Sequence, residues 1–150
     1  MNWFATRLKN GKEEVFDPIR RKWVRLTPEE EVRQMLLRDL VDNYQVPPGL
    51  ISVEFSITVN GMEKRCDVVV FSPQLNPVMI VECKARHIEI SQQVMSQAST
   101  YNLKLKVPFL LMTNGSQQYC CKIDYVMGDI SFLNYIPLFN EMVSFNQSRL

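Results

Sequence analysis

The stretch from Lys64 to Lys84, KRCDVVVFSPQLNPVMIVECK, constrains the fold more than any other part of the chain. Cys66–Phe71 and Val78–Val81 are β-branched and apolar runs. Between them, Ser72–Pro77 carries prolines at both 73 and 77, which would interrupt either strand, so the segment reads as two strands and a turn. Strands apolar on both faces belong in the middle of a sheet that is covered above and below. Charge nevertheless breaks in. Asp67 lies inside the first run, and Glu82 and Lys84 follow the second. Side chains alternate along a strand, so Glu82 and Lys84 share one face and Cys83 takes the other. A carboxylate this close to a core is costly unless it is paired, hydrogen-bonded or bound to a metal.

The flanking sequence builds the rest of the sheet. Leu50–Val59 alternates, with Ile51, Val53, Phe55, Ile57 and Val59 expected on one face. Asn60-Gly61 is the strongest hairpin signal in the chain and makes Met62–Phe71 an antiparallel partner. Val78–Cys83 then adds a third strand. A helix is expected over roughly Ser91–Leu105, with Val94, Ala98, Tyr101 and Leu105 on one side, followed by a strand at Val107–Met112. Strand, helix and strand form a crossover, so the fourth strand runs parallel to the third. Gln118–Asp124 and Asp129–Leu133 extend the edge.

The clearest helix start is Thr27-Pro28-Glu29-Glu30: an N-cap, a proline at the first helical position, and an acid three residues on that completes a capping box. Val32, Met35, Leu36 and Leu40 form its apolar stripe. Before it, Glu14–Asp17 and Lys22–Leu26 read as short strands around an Asp17-Pro18 turn, and Met1–Lys12 as a loose arm. The order of elements predicts an α/β sandwich in one domain. Residues 1–26 form an arm and hairpin, 27–115 the core, and 116–150 edge strands and a tail whose structure the pattern leaves open.

Bulk properties exclude little but set limits. A net charge of +1 gives no overall basic field, so any nucleic-acid contact depends on a local patch. No apolar run approaches a membrane span and the N-terminus has no signal-peptide pattern, which points to a cytoplasmic protein without a membrane partner. The four cysteines form no C-x-x-C pair and read as buried reduced thiols.

Asp67, Glu82 and Lys84 fall at the same end of an adjacent antiparallel pair. Two carboxylates at one spot repel unless a divalent cation lies between them, and hard oxygen ligands select Mg²⁺ or Mn²⁺ over zinc. A lysine beside such an ion can position or help deprotonate a water and steady developing negative charge, the parts needed to hydrolyse a phosphodiester. Arg65, Arg86 and Lys104, with Lys64 and Lys106, are candidate phosphate contacts, and dispersed surface charge is the competing explanation.

Asp67 followed after about fifteen residues by Glu82-Cys83-Lys84 resembles the PD-(D/E)XK nuclease signature in its D…E-x-K form. More narrowly, the chain resembles the N-terminal nuclease domain of type I restriction enzyme R subunits and the stand-alone proteins built from it. The supporting segments are Thr27–Glu30 with Val32–Gln34, Arg65–Val70, Ile80–Ala85, Gln97–Tyr101 and Thr113–Gly115. The resemblance implies a restriction-endonuclease-like fold and Mg²⁺-dependent cleavage of DNA. It makes Asp67 and Glu82 metal ligands with the Cys83 carbonyl, and Lys84 the catalytic lysine. Glu30 would complete metal binding, although its place in the capping box explains it equally. Gln97 and Tyr101 match the family's Q-x-x-x-Y motif and, at i and i+4, share a helical face. The motif's proline before the aspartate is replaced by Cys66. No G-x-x-x-x-G-K-[ST] motif is present, so these residues are not expected to carry the ATP-driven motor of a full R subunit. Implied partners are DNA and other restriction subunits, with a homodimer as the simple way to cut both strands. A catalytically quiet binding or docking module and an interaction protein with an incidental acidic pair stay open. Because the triad contributes charge rather than packing, removing it is expected to leave folding largely intact.

Overall fold

In the computed structural model, which describes residues 1–150, two sheets form. Strands β1 (Thr6–Lys9), β2 (Lys12–Asp17) and β3 (Lys22–Arg25) make a small antiparallel sheet in that order. Helix α1 (Pro28–Asp42) and a 3₁₀ turn at Pro48–Leu50 lead into the main sheet. Its strands are β4 (Ile51–Val59), β5 (Met62–Phe71), β6 (Pro77–Cys83), β7 (Phe109–Thr113), β8 (Gln118–Asp124) and β9 (Asp129–Leu133), adjacent in sequence order. Helix α2 (Gln92–Leu105) connects β6 to β7, and α3 (Phe139–Arg149) closes the chain. The sheet is mixed: β6 and β7 are parallel and every other neighbouring pair is antiparallel.

The layers are those of an α/β sandwich. One core lies between α1, α3 and the sheet, where Leu36, Leu37, Leu40 and Met142 meet Val68, Val81 and Leu111. The other lies under α2, where Met95 and Leu105 meet Val69, Ile80 and Leu110. Strands β5 and β6 are central and their Val68–Val70 and Val78–Val81 segments are fully buried, as their two-sided apolar sequence requires. Asn60 and Gly61 take φ of 51° and 77°, the left-handed pair of a tight hairpin.

Three features depart from the sequence reading, and a further one fills what it left open. Residues before Lys12 are not a loose arm: Asn10 and Gly11 (φ 52° and 74°) make a second hairpin that pairs β1 with β2. The open tail is helix α3. On α2 the buried stripe is Met95, Ser99, Asn102 and Leu105, with Ala98 and Tyr101 beside it and Val94 exposed. Polar side chains can take that stripe because they are bonded within it: Ser99 donates to the Ser96 carbonyl and Asn102 to that of Phe109. Lastly, β4 does not keep one face. Ile51 and Val53 pack on the α1 side, whereas Ile57 and Val59 pack under α2. Residues of one parity reach opposite faces because Glu54, at φ 54°, turns the backbone over between them. Strand β5 makes the same exchange between Cys66 and Val68.

Candidate active site

The exchange of faces lies where the acidic residues gather. The β4–β5 ladder runs through Val53↔Val68 and Phe55↔Cys66, and the residues between, Glu54 and Asp67, are opposed but do not pair. The β5–β6 ladder stops at Val68↔Val81. Beyond that point Asp67 replaces a backbone acceptor: its Oδ2 receives the Cys83 N–H at 2.7 Å. The carboxylate therefore fastens the splayed end of the strand pair. Glu82 points toward the α2 side with Ile80, and its Oε1 pairs with Lys64 Nζ at 2.8 Å. Burial alone would lower the Lys64 pKa, but the hydrogen bond and charge of Glu82 outweigh it and raise the value. Lys84 extends the parallel pairing by donating its N–H to the Thr113 carbonyl, and its ammonium enters none of the ion pairs.

No group of three or more His, Cys, Asp or Glu side chains is arranged to hold a metal ion. The available donors suit a cation that needs few protein ligands. Asp67 Oδ1 has only Arg33 Nη1 near it, at 3.9 Å, and Glu82 Oε2 has no partner. Each of these two carboxylates keeps one oxygen without a close protein partner, so these are the groups that could take part in holding a hydrated cation.

Glu30 is differently employed. It is 4% exposed, and Arg20 Nη2 and Arg33 Nη2 donate to its Oε1 at 2.7 and 2.9 Å. Arg33 Nε and Gln34 Nε2 donate to its Oε2 at 3.0 and 3.2 Å. Both oxygens are thus filled by protein donors. Desolvation pushes its carboxyl up, but the hydrogen bonds and charges of Arg33 and Arg20 outweigh this and hold it below the usual carboxylate range. The capping box is half formed: Thr27 accepts the Glu30 N–H, while the Glu30 carboxylate turns to the arginines instead. Arg20 also pairs with buried Asp17, and it approaches Glu54 at 3.6 Å. A continuous set of charges, Asp17–Arg20–Glu30–Arg33–Asp67, thereby links the N-terminal sheet to the strand end.

Residues 28–137 match the model of the type I restriction enzyme R protein N terminus (HSDR_N). The chain belongs to that family. A solved fragment described as a putative HsdR subunit of a type I restriction enzyme, from Vibrio vulnificus YJ016, shares the fold at a TM-score of 0.55 and 21% identity. The match covers 82% of this R-protein N-terminal chain and 26% of the solved one, so the chain spans about a quarter of that solved fragment. No curated protein matches it. No helix of the R-protein N-terminal chain is long and apolar enough to cross a membrane.

The remaining candidates divide by position. Tyr101 reaches the strand end: its hydroxyl donates to the Glu63 carbonyl at 3.2 Å, and Lys64 Nζ lies 5.8 Å from its ring. Gln97, one turn earlier, is exposed. Arg65 is exposed beside Glu54 at 3.9 Å. Arg86 is exposed and held between Ser116 and Met35, at the Thr113–Gly115 turn. Lys104 is exposed in the last turn of α2. Sequence pattern does not single out Arg20 and Arg33 as site residues. The i, i+3 spacing of Glu30 and Arg33 is a usable signal, whereas Arg20 is brought in only by the fold of the Asp17 turn. The cysteines are free and buried, and burial pushes the Cys121 thiol up to about 11 and Cys66 to about 12, consistent with inert thiols.

Proposed function

We propose that this R-protein N-terminal chain is a Mg²⁺-dependent DNA endonuclease domain. The observation that supports the reading is Asp67 holding the Cys83 N–H where two central strands separate, in the residue next to Glu82, while the Lys84 side chain enters no ion pair. Asp67 and Glu82, with the Cys83 carbonyl, would hold the ion, which when bound supplies a Lewis acid for a phosphoryl oxygen and lowers the pKa of an attacking water. Lys84 contributes a fixed positive charge where negative charge develops on the phosphate. Lys64 holds Glu82 in place, and a divalent ion bound there would compete with it for that carboxylate. Tyr101, tied to the Glu63 carbonyl, keeps α2 against the strand carrying Lys64 and Asp67, and Gln97 lies free to meet the DNA backbone. Glu30 acts as a positioning residue: it orients Arg33 toward Asp67.

A quiet DNA-binding or docking module of a restriction complex is the second reading. The closed pairs Lys64–Glu82 and Arg20–Glu30–Arg33 favour it, because they satisfy the site's charge without an ion. Other restriction subunits, or a second copy of the chain, would be its partners. Supercoiled plasmid incubated in EDTA, Mg²⁺ and Mn²⁺ separates the two. Nicking that requires the metal and is lost in Lys84→Ala supports the nuclease; binding without nicking at either metal supports the module.

A further inference from the structure

The N-terminal sheet lies outside the residues that match the family, and its two faces differ in chemistry. The register pairs Lys9 with Lys12, Arg7 with Glu14, Glu14 with Arg25 and Phe16 with Trp23. Cross-strand partners point the same way, so Arg7, Lys9, Lys12, Glu14, Phe16, Trp23 and Arg25 share one face. The opposite face carries Val15 and Asp17, both buried, and is the side turned to the body of the molecule. The outward face therefore presents four cations against the single carboxylate of Glu14, on a chain whose net charge is only +1. Glu14 is itself bonded by Arg7 at 2.8 Å. The Arg7 guanidinium lies 4.4 Å over the Trp23 ring, which stands edge-on to Phe16. Lys9, Asn10, Lys12, Glu14 and Arg25 line a concavity of about 260 Å³ with no apolar side chain in it. That concavity offers an apolar partner nothing to bury, whereas a polyanion would find spaced, solvated cations around it.

We propose that this face is a duplex DNA backbone-binding surface that holds the substrate beside the strand-end site. The proposal rests on the nuclease reading for its choice of DNA as the polyanion. Its other end is fixed by the same sheet. The β2–β3 turn carries Arg20, which bonds Glu30 and approaches Glu54. From Asp17 back to Lys12, strand β2 spans roughly 17 Å at about 3.3 Å per residue. That is on the order of five base pairs of duplex. DNA engaged at the site thus lies within reach of Arg25, Lys12 and Lys9 along its phosphates. These contacts are to backbone, so they give affinity and register without sequence preference.

The test measures a fluorescently labelled duplex of about 20 base pairs by anisotropy in EDTA, across a salt titration, with the full chain. Lys9→Ala/Lys12→Ala/Arg25→Ala is expected to weaken binding and to make the slope of log K against log salt shallower, by about 0.9 for each phosphate that is no longer neutralised. Lys9→Arg/Lys12→Arg/Arg25→Lys is expected to keep both, and circular dichroism melting confirms that each variant is folded. A triple alanine variant with unchanged slope overturns the proposal, as does a charge-retaining variant that loses binding equally. Plasmid nicking run in parallel keeps the two readings apart. Nicking by wild type with an unchanged alanine-variant slope leaves the nuclease standing and removes this surface. Duplex binding that depends on these cations, with no nicking, keeps the surface and removes the nuclease.

Discussion

Replacing Glu30 with alanine tests whether that residue is a structural anion or a metal ligand. Its side chain is 5% exposed, and its partners Arg33 and Arg20 are 8% and 13% exposed. Glu30→Ala leaves Arg33 almost wholly buried with only Asp67 at 3.9 Å and Glu54 at 3.8 Å to face it. Removing one partner of a buried ion pair costs about 3–5 kcal/mol, because the remaining charge stays desolvated. For a domain of this size each kcal/mol lowers the melting temperature by about 2–4 °C, so a fall of roughly 6–20 °C is expected. Glu30→Ala/Arg33→Met removes both charges and should lose less than the sum of the single variants, by about 1–3 kcal/mol. The assay is thermal melting of all four proteins, with and without Mg²⁺. A Glu30→Ala protein that melts within about 1 kcal/mol of wild type but no longer gains stability from Mg²⁺ would refute this reasoning and restore Glu30 as a ligand.

Other expectations follow from the same contacts. Glu30 has a folded-state pKa below the usual 4.5, so its stabilisation is fully present above that value and is lost as pH falls through the folded value; melting curves in acid should lose this component, and Glu30→Ala should lack it. Asp67→Ala should cost about 1.5–3 kcal/mol by urea unfolding, since Cys83 N–H loses an ionised acceptor, whereas Lys84→Ala should melt close to wild type. The expectation that the whole triad is dispensable for folding is thereby narrowed to Lys84 and withdrawn for Asp67. Lys64→Met frees the Glu82 carboxylate and should lower the Mg²⁺ concentration that half-saturates the thermal shift; an unchanged midpoint would show that Lys64 does not compete with the ion.

Much of this fold is written locally. Asn60-Gly61 dictates a hairpin because few residue pairs tolerate two left-handed conformations, and the apolar runs at Val68–Val70 and Val78–Val81 must be central because both faces need cover. A turn between those runs then brings Val68 opposite Val81, and Asp67 up to the Cys83 backbone, by counting alone. Asn10-Gly11 carries the same hairpin signal but joins strands too polar to register as a sheet, since β1 is exposed along its whole length. Counting fails where the pleat is interrupted. Alternation assumes an unbroken strand, and the left-handed backbone at Glu54 reverses the faces that Ile57 and Val59 occupy. The role of Glu30 likewise depends on Arg20, placed by a turn ten residues away that is itself held by Asp17. The strand order of β4 to β7 and the crossover are therefore legible in the residues alone, because they follow from short-range geometry and the need to bury apolar surface. Which charges are taken by each other, and which stay open to a ligand, is settled by the packed molecule. Desolvation and pairing depend on neighbours that no local pattern specifies.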